Sequence, residues 1–276
     1  MIDRNELIEV VTRQVLATLA GQHTDQGLEN APQVVASGAA RIGYCGNGAD
    51  VPQGLAEYID HTLLRPDASP DEIDLLCDEA IEYSFAAVCI NPCWVARASR
   101  RLRAARITVA SVVGFPLGAN TPEIKAMETR RALRDGAREI DMVINVGALK
   151  GGEHELVQKD IAGVSDACRE VGALNKVIIE TAFLTDEEKV IACRLAKAAR
   201  AHYVKTSTGF GPGGATVFDV ALMREVVGEK MGVKAAGGIH TAAEVREMIT
   251  AGATRIGASA GVRIVSGEEG ESGESY

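Results

Sequence analysis

The hydrophobic positions of the chain follow two alternating patterns from about residue 57 onward. Short apolar runs, typical of buried strands, alternate with longer stretches whose apolar residues recur every three or four positions, typical of amphipathic helices. The predicted strands are residues 58–61, 86–90, 108–113, 139–145, 176–180, 202–206, 233–236 and 255–257. The predicted helices include residues 70–83, 121–135, 153–171, 185–199, 217–230 and 241–251. Helix start signals at Ser69, Thr121, Thr185 and Thr241 support this division.

Strands that alternate with helices in this way predict a (β/α)8 TIM barrel over residues 55–276. The chain length of 276 residues is normal for one such barrel. An open, doubly wound sheet is the alternative that the pattern leaves. In a barrel, functional residues gather at the C-terminal ends of the strands, so polar side chains there are the candidates for chemistry.

The N-terminal residues carry a separate pattern. In residues 1–20, apolar residues at helical spacing predict an amphipathic helix, with Leu7, Val11 and Val15 on its apolar stripe. Residues 21–54 are rich in Gly, Ala, Gln, Asn and Asp without periodicity, which predicts a flexible linker. A short tethered helix is marginal alone. It therefore either docks on a partner or packs against its own barrel.

Composition excludes several classes of function. A net charge of −9, with no basic stripe, argues against a nucleic-acid partner. The arginines between Arg97 and Arg106 stand at helical spacing, which a solvated helix face explains. No apolar run approaches the roughly 18 residues of a membrane span, and no signal-peptide pattern is present, so we expect a cytoplasmic protein.

Cysteine and histidine spacing gives no indication of a metal site. The six cysteines contain no CxxC pair and lie mostly in apolar segments, which favours reduced thiols. Cys89 and Cys93 could pair as ligands, but no second ligand pair accompanies them, and the five histidines are scattered. We therefore expect neither a metal nor another cofactor.

Two lysines near the ends of predicted strands are the strongest candidates for chemistry. Lys205 lies in the predicted strand 202–206, and Lys234 occupies a similar place in the next strand. If these strands are neighbours, both ammonium groups project into a poorly hydrated interior. Repulsion and desolvation then lower the pKa of one of the two lysines. A neutral lysine amine can form a Schiff base with a carbonyl. The alternative is a lysine that reaches solvent at a strand end.

Further polar residues lie at the same predicted end of the barrel. Asp141 shares a strand face with Val143, and an inward carboxylate needs a cationic partner or a proton-transfer role. Both roles are compatible. Asp60 and Cys89 lie in or after the first two predicted strands, and Glu180 ends the fifth.

Glycine-rich loops after the last three strands predict an anion site. Backbone amides at Gly237 and Gly238, a helix start after Ser259, and hydroxyls of Ser259 and Thr208 beside Gly209 could surround a phosphate. Glycines are also common punctuation at strand ends. The combination in three adjacent loops favours phosphate binding.

Seven motifs in order resemble the deoxyribose-phosphate aldolase family. They are IDHTL (59–63), AVCINP (87–92), VGFPLG (113–118), EIDMVIN (139–145), YVKTSTG (203–209), VKAAGG (233–238) and RIGAS (255–259). The resemblance implies a TIM-barrel class I aldolase without a cofactor. Its substrates would be a phosphorylated sugar and a small aldehyde, with 2-deoxy-D-ribose 5-phosphate cleaved to D-glyceraldehyde 3-phosphate and acetaldehyde.

The resemblance also implies roles for individual residues. Lys205 would form the Schiff base, and Lys234 with Asp141 would relay protons and tune the amine. The residues implied to bind substrate are Asp60, Cys89, Gly209, Gly237, Gly238 and Ser259. Ala260 departs from the pattern, since some members have a second serine there, so a phosphate contact would come from backbone alone.

Residues 1–20 resemble encapsulation peptides, which carry enzymes into bacterial microcompartments. This resemblance implies a shell-protein partner and a location in a microcompartment lumen. A homo-oligomer is compatible with the sequence. Two other functions stay open: another Schiff-base aldolase of phosphosugars, and a non-catalytic phosphosugar-binding module.

Overall fold

A computed structural model describes residues 54–267 of the chain. The predicted helix at residues 1–20 lies outside the described residues. Of the predicted linker, only the last residue, Gly54, is described. The described part begins with a 3-10 turn at Ala56–Tyr58 that leads directly into the first strand.

Eight parallel strands close into a barrel in chain order, so the open-sheet alternative is wrong. The first and last strands pair through Asp60 with Gly257, which completes the ring. The strands are β1 (Ile59–Leu63), β2 (Ala87–Ile90), β3 (Thr108–Val113), β4 (Glu139–Val143), β5 (Leu174–Ile178), β6 (Tyr203–Lys205), β7 (Gly232–Ala236) and β8 (Arg255–Ala258).

Helices surround the barrel, and several begin at the residues that the sequence indicated. Capping boxes at Ser69, Thr185 and Thr241 satisfy free backbone amides of the first turn. Thr121 precedes a helix without a side-chain cap. The helices are α1 (Pro70–Tyr83), α2 (Val95–Arg101), α3 (Pro122–Asp135), α4 (Val146–Lys150), α5 (His154–Arg169), α6 (Asp186–Ala198), α7 (Val217–Val227), α8 (Ala242–Thr250) and α9 (Gly261–Ser266). None within residues 54–267 is long and apolar enough to cross a membrane.

Alternation along each strand separates two interiors. Outward side chains such as Ile140, Val177 and Val233 pack under the helices and form the main apolar core. The inward positions of β4 to β8 instead carry charged side chains at their centre. This inner face therefore holds ionisable groups away from water.

Strand boundaries differ from the predictions by up to two residues. The predicted strand 139–145 ends at Val143, because Asn145 caps α4 by accepting from the amide of Ala148. The predicted strand 176–180 begins two residues earlier, at Leu174. It ends at Ile178, shortly before Glu180, which adopts a left-handed conformation. The arginine cluster is helical only to Arg101.

Candidate active site

Seven charged side chains from six strands meet inside the barrel. Backbone pairing places Asp141 beside Lys176, and Lys205 beside Lys234. β1 and β8 complete the ring around them. The cluster consists of Asp60, Glu139, Asp141, Lys176, Lys205, Lys234 and Arg255.

Asp141 is the centre of this cluster. Its Oδ2 accepts from Lys205 Nζ at 2.9 Å and from Lys234 Nζ at 2.8 Å. Its Oδ1 accepts from Lys176 Nζ at 2.8 Å. Lys205 is 2% exposed and Lys234 is fully buried. The predicted proximity of the two amines is confirmed, with a carboxylate oxygen between them.

Asp60 forms a second node. Its Oδ2 accepts from Lys234, and its Oδ1 accepts from Arg255 Nη1 at 2.6 Å. Glu139 connects the remaining cations, lying 2.5 Å from Lys176 Nζ and 3.3 Å from Arg255 Nη2. Each carboxylate therefore contacts at least two cations.

Both aspartates are held ionised. Burial alone would raise the pKa of Asp141, but attraction to Lys176, Lys205 and Lys234 outweighs burial and holds that pKa well below its usual range. The pKa of Asp60 is likewise lowered, because Lys234, Lys176 and Arg255 outweigh its burial. Asp141 is consequently an ionised carboxylate that compensates three lysines.

Lys234 does not have the lowered pKa that repulsion between two neighbouring lysines alone would give it. Burial lowers the pKa of Lys234, but Asp141 and Asp60 more than compensate, and the net pKa is raised. The pKa of Lys176 is also raised, because Asp141, Glu139 and Asp60 outweigh its burial. Repulsion between the two lysines is outweighed at Lys234, because Asp141 lies between the two amines and Asp60 contacts Lys234 as well.

Contacts within the cluster are distributed unevenly. The four cations Lys176, Lys205, Lys234 and Arg255 face the three carboxylates Asp60, Glu139 and Asp141, which leaves one positive charge in excess. Lys205 contacts one carboxylate, whereas Lys234 contacts two. Lys205 is thus the cation of the cluster that contacts the fewest carboxylates.

Cys89 lies on the inner face of β2 beside the cluster. Its Sγ is 3.9 Å from Asp141 Oδ2. Burial and the Asp141 charge raise the pKa of the Cys89 thiol. It is therefore a neutral wall of the site rather than a nucleophile.

The glycine loops after β6 and β7 lie against each other. Gly209, Gly237 and Gly238 all have positive φ, at 88°, 91° and 72°. A Cβ on Gly237 would lie 3.7 Å from Gly209 Cα, whereas one on Gly238 would meet open space. Ser259 is exposed and follows β8. Ala236 of β7 pairs with Gly257 of β8, and Gly238 and Ser259 each come two residues after one member of this pair.

Thr208 is placed differently from the prediction. Its hydroxyl donates to Glu180 Oε2 at 2.5 Å, and its amide donates to the same oxygen at 3.1 Å. The hydroxyl proton expected to contact an anion is therefore already used within the protein.

An apolar pocket opens beside these residues at the C-terminal mouth. It has a volume of about 300 Å³ and is lined by loops after β3 to β6. Pro116, Val143, Phe183 and Phe210 supply apolar surface, and Lys150 and Glu180 also line the pocket. The mouth thus has an apolar side at β3–β6 and a glycine-rich side at β6–β8.

Sequence reasoning missed Lys176, Glu139 and Arg255. A signal was available, because each is a charged residue within a short predicted strand and occupies an inward position. Lys176 pairs across the sheet with Asp141, and Arg255 pairs with Lys234. Alternation along one strand shows which face a side chain occupies, but it could not show that these three residues meet inside the barrel.

Comparisons with known proteins agree on one family. The family model described as DeoC/LacD family aldolase matches residues 55–267. The deoxyribose-phosphate aldolase of Enterococcus faecalis is 60% identical over 217 residues, covering 79% of this chain and 98% of that protein. The deoxyribose-phosphate aldolase of Thermococcus gammatolerans is 60% identical over 215 residues, covering 77% and 96%.

A solved structure has the same architecture. The tetrameric deoxyribose phosphate aldolase of Aeropyrum pernix superimposes with a TM-score of 0.74 at 30% identity, covering 84% of this chain and 95% of that one.

Proposed function

The chain belongs to the DeoC/LacD family of aldolases, and we infer that it uses Lys205 to cleave 2-deoxy-D-ribose 5-phosphate reversibly into D-glyceraldehyde 3-phosphate and acetaldehyde. The activity is that of a class I, Schiff-base aldolase. The observation that carries the role of Lys205 is its contact with a single carboxylate oxygen, at 2.9 Å, which it shares with Lys234.

We propose that Lys205 reacts as the neutral amine, because it contacts only one carboxylate in a cluster that has one cation in excess. Lys176 and Lys234 remain protonated because their pKa values are raised by the surrounding carboxylates. Deprotonation of Lys205 removes one charge from four cations that face three carboxylates. The amine that results is a nucleophile at the barrel mouth.

The reaction then proceeds through covalent intermediates. The Lys205 nitrogen bonds to C1 of the open-chain aldehyde, and the carbinolamine loses water to give an iminium. Asp141, together with Lys234, accepts the proton of the C3 hydroxyl, and the electrons of the C2–C3 bond flow to the iminium nitrogen. Glyceraldehyde 3-phosphate leaves. The enamine is protonated at C2, and water hydrolyses the iminium to acetaldehyde and free Lys205.

Asp60 and Cys89 support this chemistry from the walls of the site. Asp60 accepts a hydrogen bond from Lys234 and fixes its ammonium next to Asp141. The neutral Cys89 thiol borders the Asp141 carboxylate and the bound two-carbon unit. Both residues would contact the substrate itself or the side chains of Lys234 and Asp141 that act on it.

The glycine loops are the proposed phosphate site. Backbone amides at Gly209, Gly237 and Gly238, with the Ser259 hydroxyl, would surround the phosphate on the β6–β8 side. Ala260 offers only its backbone there. The support for this site is the close approach of the Gly209 and Gly237 backbones and the open space in front of Gly238.

Borohydride trapping tests the proposed chemistry. Incubation with acetaldehyde and borohydride should reduce an imine and add one ethyl group to Lys205, located by peptide mass spectrometry. Lys205→Met should remove both the adduct and turnover. An intact protein that cleaves the sugar phosphate with no adduct on Lys205 would contradict the mechanism. Turnover of a related phosphosugar in preference to 2-deoxy-D-ribose 5-phosphate would favour the other Schiff-base aldolase.

We also propose that residues 1–20 are an encapsulation peptide that binds a microcompartment shell protein. The support is their amphipathic pattern and the start of the family match at residue 55. Removing residues 1–53 should leave kcat unchanged, and fusing residues 1–20 to a fluorescent protein should carry it into shells. A truncated protein that fails to fold would instead place the helix on the barrel.

Self-association is a further proposal, supported by the tetrameric Aeropyrum pernix relative. Ile124 and Met127 on α3 are 49% and 65% exposed, which provides apolar surface for a subunit contact. Light scattering on the purified protein measures its mass directly. A monomer at micromolar concentration would contradict the proposal.

A further inference from the structure

Glu180 has an unusual backbone conformation for its residue type. It follows β5 with φ of 56° and ψ of 67°, in the left-handed region that glycine favours. Its side chain is not free to relax, because the residue is 3% exposed. Backbone strain of this kind persists where surrounding contacts hold it, and it is concentrated at functional sites.

The contacts of Glu180 are with the loop after β6. Glu180 Oε2 accepts from both the amide and the hydroxyl of Thr208. Thr208 Oγ1 in turn accepts from the amide of Phe210 at 3.0 Å. A single carboxylate oxygen therefore orders the backbone on both sides of Gly209.

The later part of the loop after β6 also contacts the loop after β7. A Cβ on Gly214 would lie 2.2 Å from the carbonyl oxygen of Gly237, and Ala215 donates to that oxygen at 2.9 Å. The loops after β6 and β7 are thus in backbone contact. A displacement of Thr208 would move Gly209 relative to Gly237.

The second carboxylate oxygen fits the same arrangement. Glu180 Oε1 is buried and has no hydrogen-bond partner among the described residues. A Cβ on Gly211 would approach it to 3.0 Å, so a glycine leaves room for the carboxylate beneath the loop. Glu180 therefore supports the loop from Thr208 to Gly211 along its inner side.

We propose that Glu180 is a positioning residue for the substrate phosphate, holding the Thr208–Gly209 backbone in register with Gly237. Thr208 acts through the same contact and not as a direct phosphate ligand. This inference rests on the proposed phosphate site. It assigns Glu180 a function in substrate affinity and none in the covalent steps at Lys205.

The first test separates binding from chemistry. Glu180→Ala should raise KM for 2-deoxy-D-ribose 5-phosphate about tenfold or more, because a charge-assisted contact is lost, and should leave kcat within about threefold. Cleavage of unphosphorylated 2-deoxy-D-ribose should not change. Glu180→Gln, whose amide oxygen can still accept from Thr208, should restore part of the affinity. A fall in kcat with both sugars would overturn the proposal and indicate a role in proton transfer.

A double-mutant cycle tests the role of Thr208. Thr208→Val should raise KM for the phosphorylated sugar, while Thr208→Ser should not. In the Glu180→Ala background, Thr208→Val should add less than about twofold, because both variants remove one shared contact. Fully additive effects would show that Thr208 binds phosphate independently of Glu180, which contradicts the proposal.

Trapping distinguishes this inference from the proposed function. The wild type and every variant should give the borohydride adduct of acetaldehyde on Lys205, since acetaldehyde carries no phosphate. Absence of the adduct in the wild type defeats the aldolase mechanism itself. Adducts in all proteins, with KM of Glu180→Ala unchanged, defeat only the assignment of Glu180. Thermal unfolding identifies any variant that does not fold, and Glu180→Gln with Thr208→Val then carry the test.

Discussion

At the scale of single residues, the three buried lysines of the cluster differ in how many carboxylates each of them contacts. Lys176 lies within 3.5 Å of three carboxylates, Lys234 contacts two, and Lys205 contacts one. Burial penalises all three ammonium groups, and compensation by carboxylates decides which penalty remains. Lys205 is therefore the lysine whose burial is compensated by the fewest carboxylates.

The pH profile should respond to residues that never touch substrate. Lys176 keeps its charge at working pH because its pKa is raised, so Lys176→Met removes one positive charge and leaves the cluster balanced. With the excess positive charge gone, the acidic limb of kcat/KM should move up by about one pH unit. Glu139→Gln adds to the positive excess and should move the limb down.

Lys125 provides a matched control for this experiment. It is also fully buried and paired, through Asp160, but lies outside the cluster. Lys125→Met should lower stability by about 3–5 kcal/mol, as expected when a buried ion pair loses one partner, without moving the limb. Shifts of the same sign in Lys176→Met and Glu139→Gln would contradict the charge argument.

Thiol reactivity should follow burial. Burial raises the pKa of Cys77, Cys168 and Cys193 to about 12, and it also raises the pKa of Cys89. Cys93 is exposed. Iodoacetamide at about pH 8 should therefore alkylate Cys93 and spare the four buried thiols, because the thiolate is the reactive form. Peptide mapping measures this, and rapid labelling of Cys89 in the folded protein would show that its site is more open.

At the scale of elements, the strands place side chains and the loops place backbone amides. Capping boxes at Ser69, Thr185 and Thr241 define where α1, α6 and α8 begin. The loops after β6 and β7 depend on glycines where two backbones approach each other. The proposed phosphate site is thus formed by the contact between two loops rather than by either loop alone.

Gly214→Ala should separate these loops. Its added Cβ would lie 2.2 Å from the Gly237 carbonyl oxygen, so the backbone must shift. We expect KM for the phosphorylated sugar to rise about tenfold, since close placement of binding groups is lost, with adduct formation at Lys205 retained. Gly213→Ala is the control, because its Cβ would meet only the Ala182 methyl, at 3.1 Å. Equal effects of both variants would contradict this account.

At the scale of the whole molecule, barrel closure creates the charged cluster. Asp60 on β1 contacts Lys234 on β7 and Arg255 on β8, and both of these residues are far from Asp60 in the sequence. The cluster therefore exists only when the ring is complete. Its ionisation and the stability of the barrel are linked.

Acid should unfold the barrel by protonating this cluster. The folded pKa values of Asp60 and Asp141 are lowered, so their contribution is fully present above the unfolded value, about 3.8, and is lost as pH falls below it. Each carboxylate should then remove about 1.4 kcal/mol of unfolding free energy per pH unit. Denaturant unfolding between about pH 5 and pH 2 measures the slope, and a flat profile below about pH 4 would contradict the prediction.

Much of the fold followed from the sequence alone. Apolar periodicity and caps such as Ser69 are local signals, and they predicted strand and helix order because each element forms one buried face. Lys205, Lys234 and Asp141 were expected at one end of the barrel, and the structure brings these three side chains together. The predicted strand ends were less accurate, as at Glu180, because the backbone conformation of a single residue can end a strand.

The tertiary structure alone decided which charges meet. Closure of the ring brought Lys176, Glu139 and Arg255 into the cluster, and it placed Asp141 between the two amines rather than beside one of them. The tertiary structure also places the Thr208 hydroxyl where it donates a hydrogen bond to Glu180. Local patterns determine which face a side chain occupies, whereas electrostatic compensation depends on distances between strands, and those distances exist only in the closed barrel.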